Sequence, residues 1–485
     1  MIALIQITCS KDHSEVTLPL GILSVGSALK RAGFEVKLIN ITEKNISRTV
    51  DEIIALSPEF LGVSVMTGIQ TKHSAEFCQE IKTRLRQGYG GQGKNIPIVW
   101  GGIHPSLLPE QCLKEDYIDY VVMGEGEITI VEFIKRLKEG GNFNDIVGLG
   151  YKKNGEIIIN QARKFIENLD DYRLDFGLVD IKKHLFKLKK AERAMVYKTS
   201  RGCYFNCAFC YNRAFNKNKW RAWSINAVIE DIDFLKKNYR VDAIKFYDDN
   251  FFIDQQRALK ILEKTDLPSH VEIRIDMITE DLVKKLKELK VSECLIGIES
   301  GSNRMLKLIN KGYTVDKIRD GVKILAKYDI YTTYSTIVGL PTETEDEFNK
   351  TLDLMYWVHK THPRAGFTLG AYSPYPGSLM YDFAIKHGFR PPLKTEDWGK
   401  IDRFRKDFSS PWANKKVWRI REYFKFFSYK IGLLNKWSEF RIRNRFFAFS
   451  FDIPIIEYLA GLAIEEKGII GKILRKIHTL IKKFK

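Results

Sequence analysis

The chain has 485 residues, of which 44% are hydrophobic and 28% charged, and a formal net charge of +18 at pH 7. These are the proportions of a globular protein of two to four domains, large enough to build its cores without covalent staples. No uncharged apolar stretch suits a membrane-spanning helix: the run from Ala365 to Tyr381 is broken by Pro374, Pro376 and several glycines.

The opening "MIALIQITCSKDH" has no basic region ahead of its short apolar run, so it reads as a first strand rather than a signal peptide. A cytoplasmic location is the expectation. Over residues 1–140 short apolar runs ("MIALIQI", "EVKLINI", "FLGVSV", "IPIVWGG", "YVVMG") alternate with helical patterns ("ILSVGSALKRAG", "TVDEIIALS", "SAEFCQEIKTRLR", "ITIVEFIKRLKEG"). Strict alternation predicts a doubly wound parallel sheet, whose ligands sit beyond the carboxyl ends of the strands. Those ends carry small residues, Ser64 to Gly68, Gly101 and Gly102, and Gly124 to Glu127, with His104 just after the fourth strand. Glycine there lets a flat ligand approach the backbone, and it is equally what a tight turn requires. "RQGYGGQG", residues 86–93, follows a helix and lacks the lysine and serine of a phosphate loop, so it reads as a surface loop.

Residues 141–190 read as a connector containing a hairpin, "LGYKKNGEIIIN", whose Asn-Gly pair suits a tight turn. Over residues 191–400 the alternation resumes, with strands at "MVYKT", "AIKFYDD", "VEIRID", "ECLIGIE", "YTTYSTIVGL" and "GFTLGAY". Six strands with intervening helices predict a partial (β/α)6 barrel, with its chemistry on the carboxyl-end rim.

Directly after the first of these strands stands "SRGCYFNCAFCYN", which packs three of the seven cysteines into eight residues. An odd number of thiols does not close into disulfides, and Cys203, Cys207 and Cys210 form one C-x3-C-x2-C run without the second pair of a structural zinc site. Three thiolates can hold three irons of a 4Fe–4S cluster and leave the fourth open to substrate. An open zinc site and chance clustering of buried cysteines are the competing readings.

The run resembles the signature of the radical S-adenosylmethionine (SAM) enzymes. The resemblance implies that the open iron chelates the amino and carboxylate groups of SAM, and that reductive cleavage yields a 5′-deoxyadenosyl radical. It further implies that Phe209 packs near the adenine, that Tyr247, Asp248 and Asp249 of "FYDDNFF" lie by the SAM amino group, and that Glu299 and Ser300 of "LIGIESGSNRMLKLINKG" reach its ribose and amino acid portions. Arg274 in "EIRID" offers a guanidinium suited to fork a carboxylate. "VGLPTETEDEF" matches the fifth-strand turn. Upstream, "PLGILSVGSALKRAGFEVKLI", "GGIHPSLLPE" and "VVMGEGEITI" resemble the cobalamin-binding domain that precedes many radical SAM domains. Its implied contacts here are Ser64, Gly101, Gly102, His104, Gly124 and Glu125. The D-x-H-x-x-G motif that supplies a histidine to cobalt elsewhere is absent, and Asp12-His13 does not complete it, so cobalamin without that lower ligand is implied.

Residues 401–485 read as a basic, aromatic, helical region: from Pro411 onward there are 17 Lys and Arg against 6 Asp and Glu. In "GIIGKILRKIHTLIKKF" apolar residues recur at helical spacing, which fits either a helix docked on the barrel or one lying on an anionic membrane. The expected reaction is cobalamin-dependent methylation of an unactivated carbon on a lipid-like or other small molecule. It would be fed by an electron donor such as a flavodoxin or ferredoxin, with nucleic acid not a partner. Cyclisation or rearrangement is the alternative. A methylthiotransferase would need a second cluster on Cys9, Cys78 and Cys112, two of which fall inside helical patterns. A DNA-binding cobalamin sensor leaves the three-cysteine loop without a purpose.

Overall fold

The computed structural model describes residues 1–9, 17–89, 95–189, 191–401, 411–412, 417–428, 432–447 and 452–455. Asp12, His13, residues 90–93 of the glycine-rich loop and the helical pattern at 468–485 lie outside the described residues.

The first sheet is built on β1 (Ile2–Thr8), β2 (Val36–Thr42), β3 (Leu61–Ser64), β4 (Ile98–Gly101) and β5 (Tyr120–Val122). These strands pair in parallel in the order β2-β1-β3-β4-β5, with Ile5 beside Ile39 and Val63. Their continuous apolar runs follow from burial on both faces. Ile22, Leu29, Phe133 and Ile134, from helices Leu20–Arg31 and Gly126–Lys138, cover one face. Val50, Ile53, Phe77 and Ile81, from Ile46–Leu56 and Ile69–Arg86, cover the other.

The hairpin read as part of the connector instead extends this sheet. Strands β6 (Leu149–Lys153) and β7 (Glu156–Ile159) continue it antiparallel, Val122 pairing with Leu149. Asn154 at φ +52° and Gly155 at φ +84° make the turn, the left-handed pair that matches the twist of a two-residue hairpin.

The second sheet begins with a short antiparallel edge strand, β8 (Phe186–Leu188), and continues through β9 (Ala191–Tyr197). A small ladder of β10 (Ser200–Arg201) and β11 (Arg221–Ala222) then brackets the cysteine loop. After it come β12 (Ala243–Phe246), β13 (Ser269–Glu272), β14 (Val291–Glu299), β15 (Tyr331–Val338) and β16 (Ala365–Ala371). The order β16-β15-β14-β13-β12-β9-β8 contains six parallel strands that curl into a partial barrel. Helix Val417–Ser428 packs against β16, with Phe424 and Phe367 ring centres 5.6 Å apart. No helix among the described residues is long and apolar enough to cross a membrane.

Candidate active site

The cysteine loop leaves the end of β9 through Gly202, whose φ is +83° and where a Cβ would stand 2.0 Å from the Lys219 carbonyl oxygen. Only glycine fits there. Two backbone bonds pin the loop to the barrel: Ala208 N–H donates to Ile309 O at 2.8 Å, and Ala208 O accepts from Met380 N–H at 2.9 Å. Cys203, Cys207 and Cys210 are all unbridged. Burial pushes the thiol of Cys203 up to about 11 and that of Cys210 up to about 12. Arg274 Nη1 lies 3.6 Å from Cys207 Sγ. Three unbridged thiols on one pinned loop, with a cationic donor beside one of them, suit the three-cysteine cluster.

The residues expected around SAM divide into those engaged elsewhere and those facing the loop. Asp248 is buried and accepts from Thr199 N–H, Thr199 Oγ1 at 2.9 Å and Ser200 Oγ, so its carboxylate fastens the strand end. Asp249 points the other way, to Gly202 N–H at 3.1 Å, Lys198 Nζ at 3.2 Å and Tyr211 OH at 3.3 Å. Burial alone would raise its pKa; the Lys198 ammonium outweighs that and holds the carboxyl below its usual value. Tyr247 is 49% exposed. Arg274 forks Asp276 at 2.8 and 3.0 Å and donates to Lys311 O at 2.6 Å. Glu299, at φ +60°, forms a buried ion pair with Lys311 at 2.9 Å, and the Lys311 ammonium lies 5.4 Å from the Phe209 ring centre. Burial opposes that ammonium, and Glu299 more than restores it. Ser300 Oγ is 3.2 Å from Thr351 Oγ1.

A cavity of ≈ 380 Å³ lies where the carboxyl ends of the first sheet meet the cysteine loop. Ser64, Gly101, Gly102 and Gly124 line it from the first domain, and Lys198, Gly202, Tyr211 and Tyr247 from the barrel. Gly102, at φ +97°, has the Val65 backbone where a Cβ would stand, 2.8 Å from its oxygen, so this wall stays bare. A flat macrocycle needs such a wall. His104 is not part of it: the ring is fully buried, with Nδ1 3.1 Å from Thr67 Oγ1 and its edge on Trp398. Burial pushes its pKa down to about 3, so the imidazole is neutral.

Glu125 lines the cavity, and its carboxylate is bonded to Arg201 at 2.8 Å and to Arg221 at 2.9 Å. Lys198, Arg201, Tyr211 and Lys311 were missed by sequence reasoning. Tyr211 adjoins the last cysteine, and Lys198 and Arg201 flank the start of the loop, so proximity to the run was the available signal. Cys78 and Cys112 are buried in separate helices, and burial pushes the Cys78 thiol up to about 12. Trp100 Nε1–H donates to Cys78 Sγ at 3.4 Å, which accounts for that thiol as core packing.

The model of the radical SAM superfamily matches residues 197–355, and that of the B12 binding domain matches residues 14–134. An uncharacterized methyltransferase of Pyrococcus horikoshii is 31% identical over 402 residues, covering 79% of this chain and 81% of the relative. The chain belongs to the cobalamin-binding radical SAM enzymes. An anaerobic magnesium-protoporphyrin IX monomethyl ester cyclase of Synechocystis sp. is 27% identical, covering 72% of this chain and 70% of its own. Among solved structures, the cobalamin-dependent SAM radical enzyme OxsB with aqua-cobalamin bound has the same fold, with a TM-score of 0.68 at 17% identity, covering 99% of this chain and 75% of that one. As a cobalamin-binding radical SAM enzyme, the protein takes a 4Fe–4S cluster, SAM and cobalamin as cofactors, draws electrons from a reductant and acts on a small molecule.

Proposed function

We propose that this enzyme methylates an unactivated carbon of a small, largely apolar substrate in the cavity between its two domains. One observation carries the reading: the bare strand ends of the first sheet and Lys198, Gly202, Tyr211 and Tyr247 beside the cysteine loop bound a single chamber. Cys203, Cys207 and Cys210 would hold the cluster. Asp249, Tyr247 and the Glu299–Lys311 pair present polar groups toward SAM, and Phe209 gives it an apolar wall. Asp248, Ser300 and Arg274 act by fastening strand ends and the loop. Ser64, Gly101, Gly102 and Gly124 would bear the corrin. When bound, the cofactors supply the hydrogen-abstracting radical and the methyl group, and the protein contributes position and the exclusion of water. A lipid-like substrate and attachment of the basic tail to the inner face of a membrane belong to the same proposal.

The test is anaerobic reconstitution followed by incubation with SAM, cobalamin and a reductant. SAM is expected to perturb the electron paramagnetic resonance signal of the reduced cluster. Turnover is expected to release both 5′-deoxyadenosine and S-adenosylhomocysteine, the second from remethylation of the corrinoid. A Cys203→Ala/Cys207→Ala/Cys210→Ala variant that keeps its cluster would overturn the site. Release of 5′-deoxyadenosine alone would overturn methyl transfer in favour of cyclisation or rearrangement.

A further inference from the structure

The outer face of the cysteine loop carries a group of cations that the site does not use. Asn206, between the first two cysteines, gathers its neighbours: Asn310 Nδ2 donates to its backbone oxygen at 2.8 Å, and Arg213 Nη1 and Asn218 Nδ2 approach its side-chain oxygen at 3.4 and 3.5 Å. Arg213, Asn218 and Asn310 therefore sit beside this part of the loop, while Phe215 and Asn216 between them turn toward the cavity. Arg213, Lys217, Lys219 and Lys307 are all exposed there. None forms an ion pair with a carboxylate among the described residues. The carboxylates nearest the loop are already neutralised, Asp249 by Lys198, Asp276 by Arg274 and Glu299 by Lys311. Tyr204, next to Cys203 on the same loop, is 50% exposed and in contact with Phe205.

Four exposed cations that form no ion pair among the described residues, on segments beside the loop read as holding the electron-accepting centre, define a small face with one sign of charge. Such a face speeds encounter with an oppositely charged partner 10- to 1000-fold at low salt, and redox encounters characteristically use small contact areas. We propose that Arg213, Lys217, Lys219, Lys307 and Tyr204 form the docking face for an acidic one-electron carrier protein of the flavodoxin or ferredoxin kind. The proposal rests on the reading of the three cysteines as cluster ligands. The step is a bare electron transfer: the reduced carrier loses one electron, the oxidised cluster gains it, and no bond is made or broken.

The experiment follows cluster reduction by stopped-flow absorbance in the reconstituted full-length enzyme. Two electron sources are compared, a reduced acidic flavodoxin and the small neutral reductant photoreduced 5-deazaflavin. For the unaltered enzyme the flavodoxin rate is expected to fall steeply between ~20 and ~300 mM salt as the charges are screened. Arg213→Glu/Lys217→Glu/Lys219→Glu/Lys307→Glu is expected to slow reduction by flavodoxin at least ~10-fold at low salt while leaving the deazaflavin rate unchanged. The milder Lys219→Gln/Lys307→Gln variant covers the case in which four reversals impair folding, and should show a smaller loss of the same kind. Equal flavodoxin rates in variant and unaltered enzyme, or a rate indifferent to salt, would overturn the docking face. Failure of the unaltered enzyme to be reduced by deazaflavin would instead overturn the cluster reading on which it rests.

Discussion

Arg274 shows how a residue's surroundings decide its task. In sequence it is a guanidinium just past a strand end, equally suited to a SAM carboxylate or to a structural fork. In the fold two of its nitrogens are spent on Asp276 and one of these also on Lys311 O, leaving Nη1 3.6 Å from Cys207 Sγ. Hydrogen bonds to cluster sulfurs raise reduction potential, because the reduced cluster carries the extra negative charge. Arg274→Gln is therefore expected to retain the cluster and lower its midpoint potential by about 60 mV, the one-electron equivalent of a tenfold change in equilibrium. Spectroelectrochemical titration reads this directly, and an unchanged potential would leave Arg274 with only its fork to Asp276. Asp248 and Asp249 teach the complementary lesson. Adjacent residues at a strand end point to opposite sides, so one carboxylate fastens Thr199 and Ser200 while the other faces the loop. The pair was legible as a polar strand end; which member faces inward depends on strand register, which a single sequence does not display.

At the level of elements, apolar and polar runs carry the βα order because parallel strands buried on both faces need near-continuous hydrophobic stretches. Pairing partners are less visible. Nothing in "LGYKKNGEIIIN" says that the hairpin joins β5 rather than standing alone as a connector, since that contact lies across the chain at Val122 and Leu149. The aromatic C-terminal region was ambiguous for a related reason. Aromatic rings crowd equally at a membrane surface and at the uncovered edge of a curled sheet. In helix Val417–Ser428, Ile420, Tyr423 and Phe424 are buried, and Phe424 meets Phe367 of β16. These rings complete the barrel core. Phe424→Ala is expected to destabilise the barrel by about 3–5 kcal/mol, the usual cost of deleting a buried phenyl ring. It would appear as a lowered denaturation midpoint of the cluster-loaded protein; a midpoint within error of the unaltered protein would mean that this helix is not part of the core.

Across the whole molecule, the proposed reaction brings two cofactors together at one chamber, so the relative placement of the domains is itself a functional variable. One polar contact across the junction joins the turn after β5 to the loop before the first cysteine of the run. Arg201, two residues ahead of Cys203, donates to Glu125 at 2.8 Å and to Glu127 at 2.6 Å. Glu127 also accepts from Ser24 Oγ at 2.6 Å, and Glu125 from the Ile166 backbone N–H at 2.8 Å. All four charged groups, Arg221 included, are largely withdrawn from water. Burial alone would raise the Glu127 pKa, yet the Arg201 guanidinium and the Ser24 hydroxyl hold it below its ordinary value. The carboxylate is therefore charged at neutral pH, and the network breaks only when acid protonates it. "GEGE" was legible as a turn at the edge of a ligand site; its partner stands 74 residues further on, in the other domain. Removing one member of a buried ion pair costs about 3–5 kcal/mol, because the partner charge stays behind without compensation. Glu127→Gln keeps the shape and one acceptor while deleting the charge, so each domain should fold and the cluster signal should persist. What should change is the junction: cobalamin affinity is expected to fall about tenfold, the effect of 1.4 kcal/mol lost at the shared chamber. Proteolysis of the connector around Ile166 should quicken at the same time. Measured together by corrinoid titration and timed digestion, unchanged affinity with unchanged protection would show that the domains are held by apolar packing and not by this network.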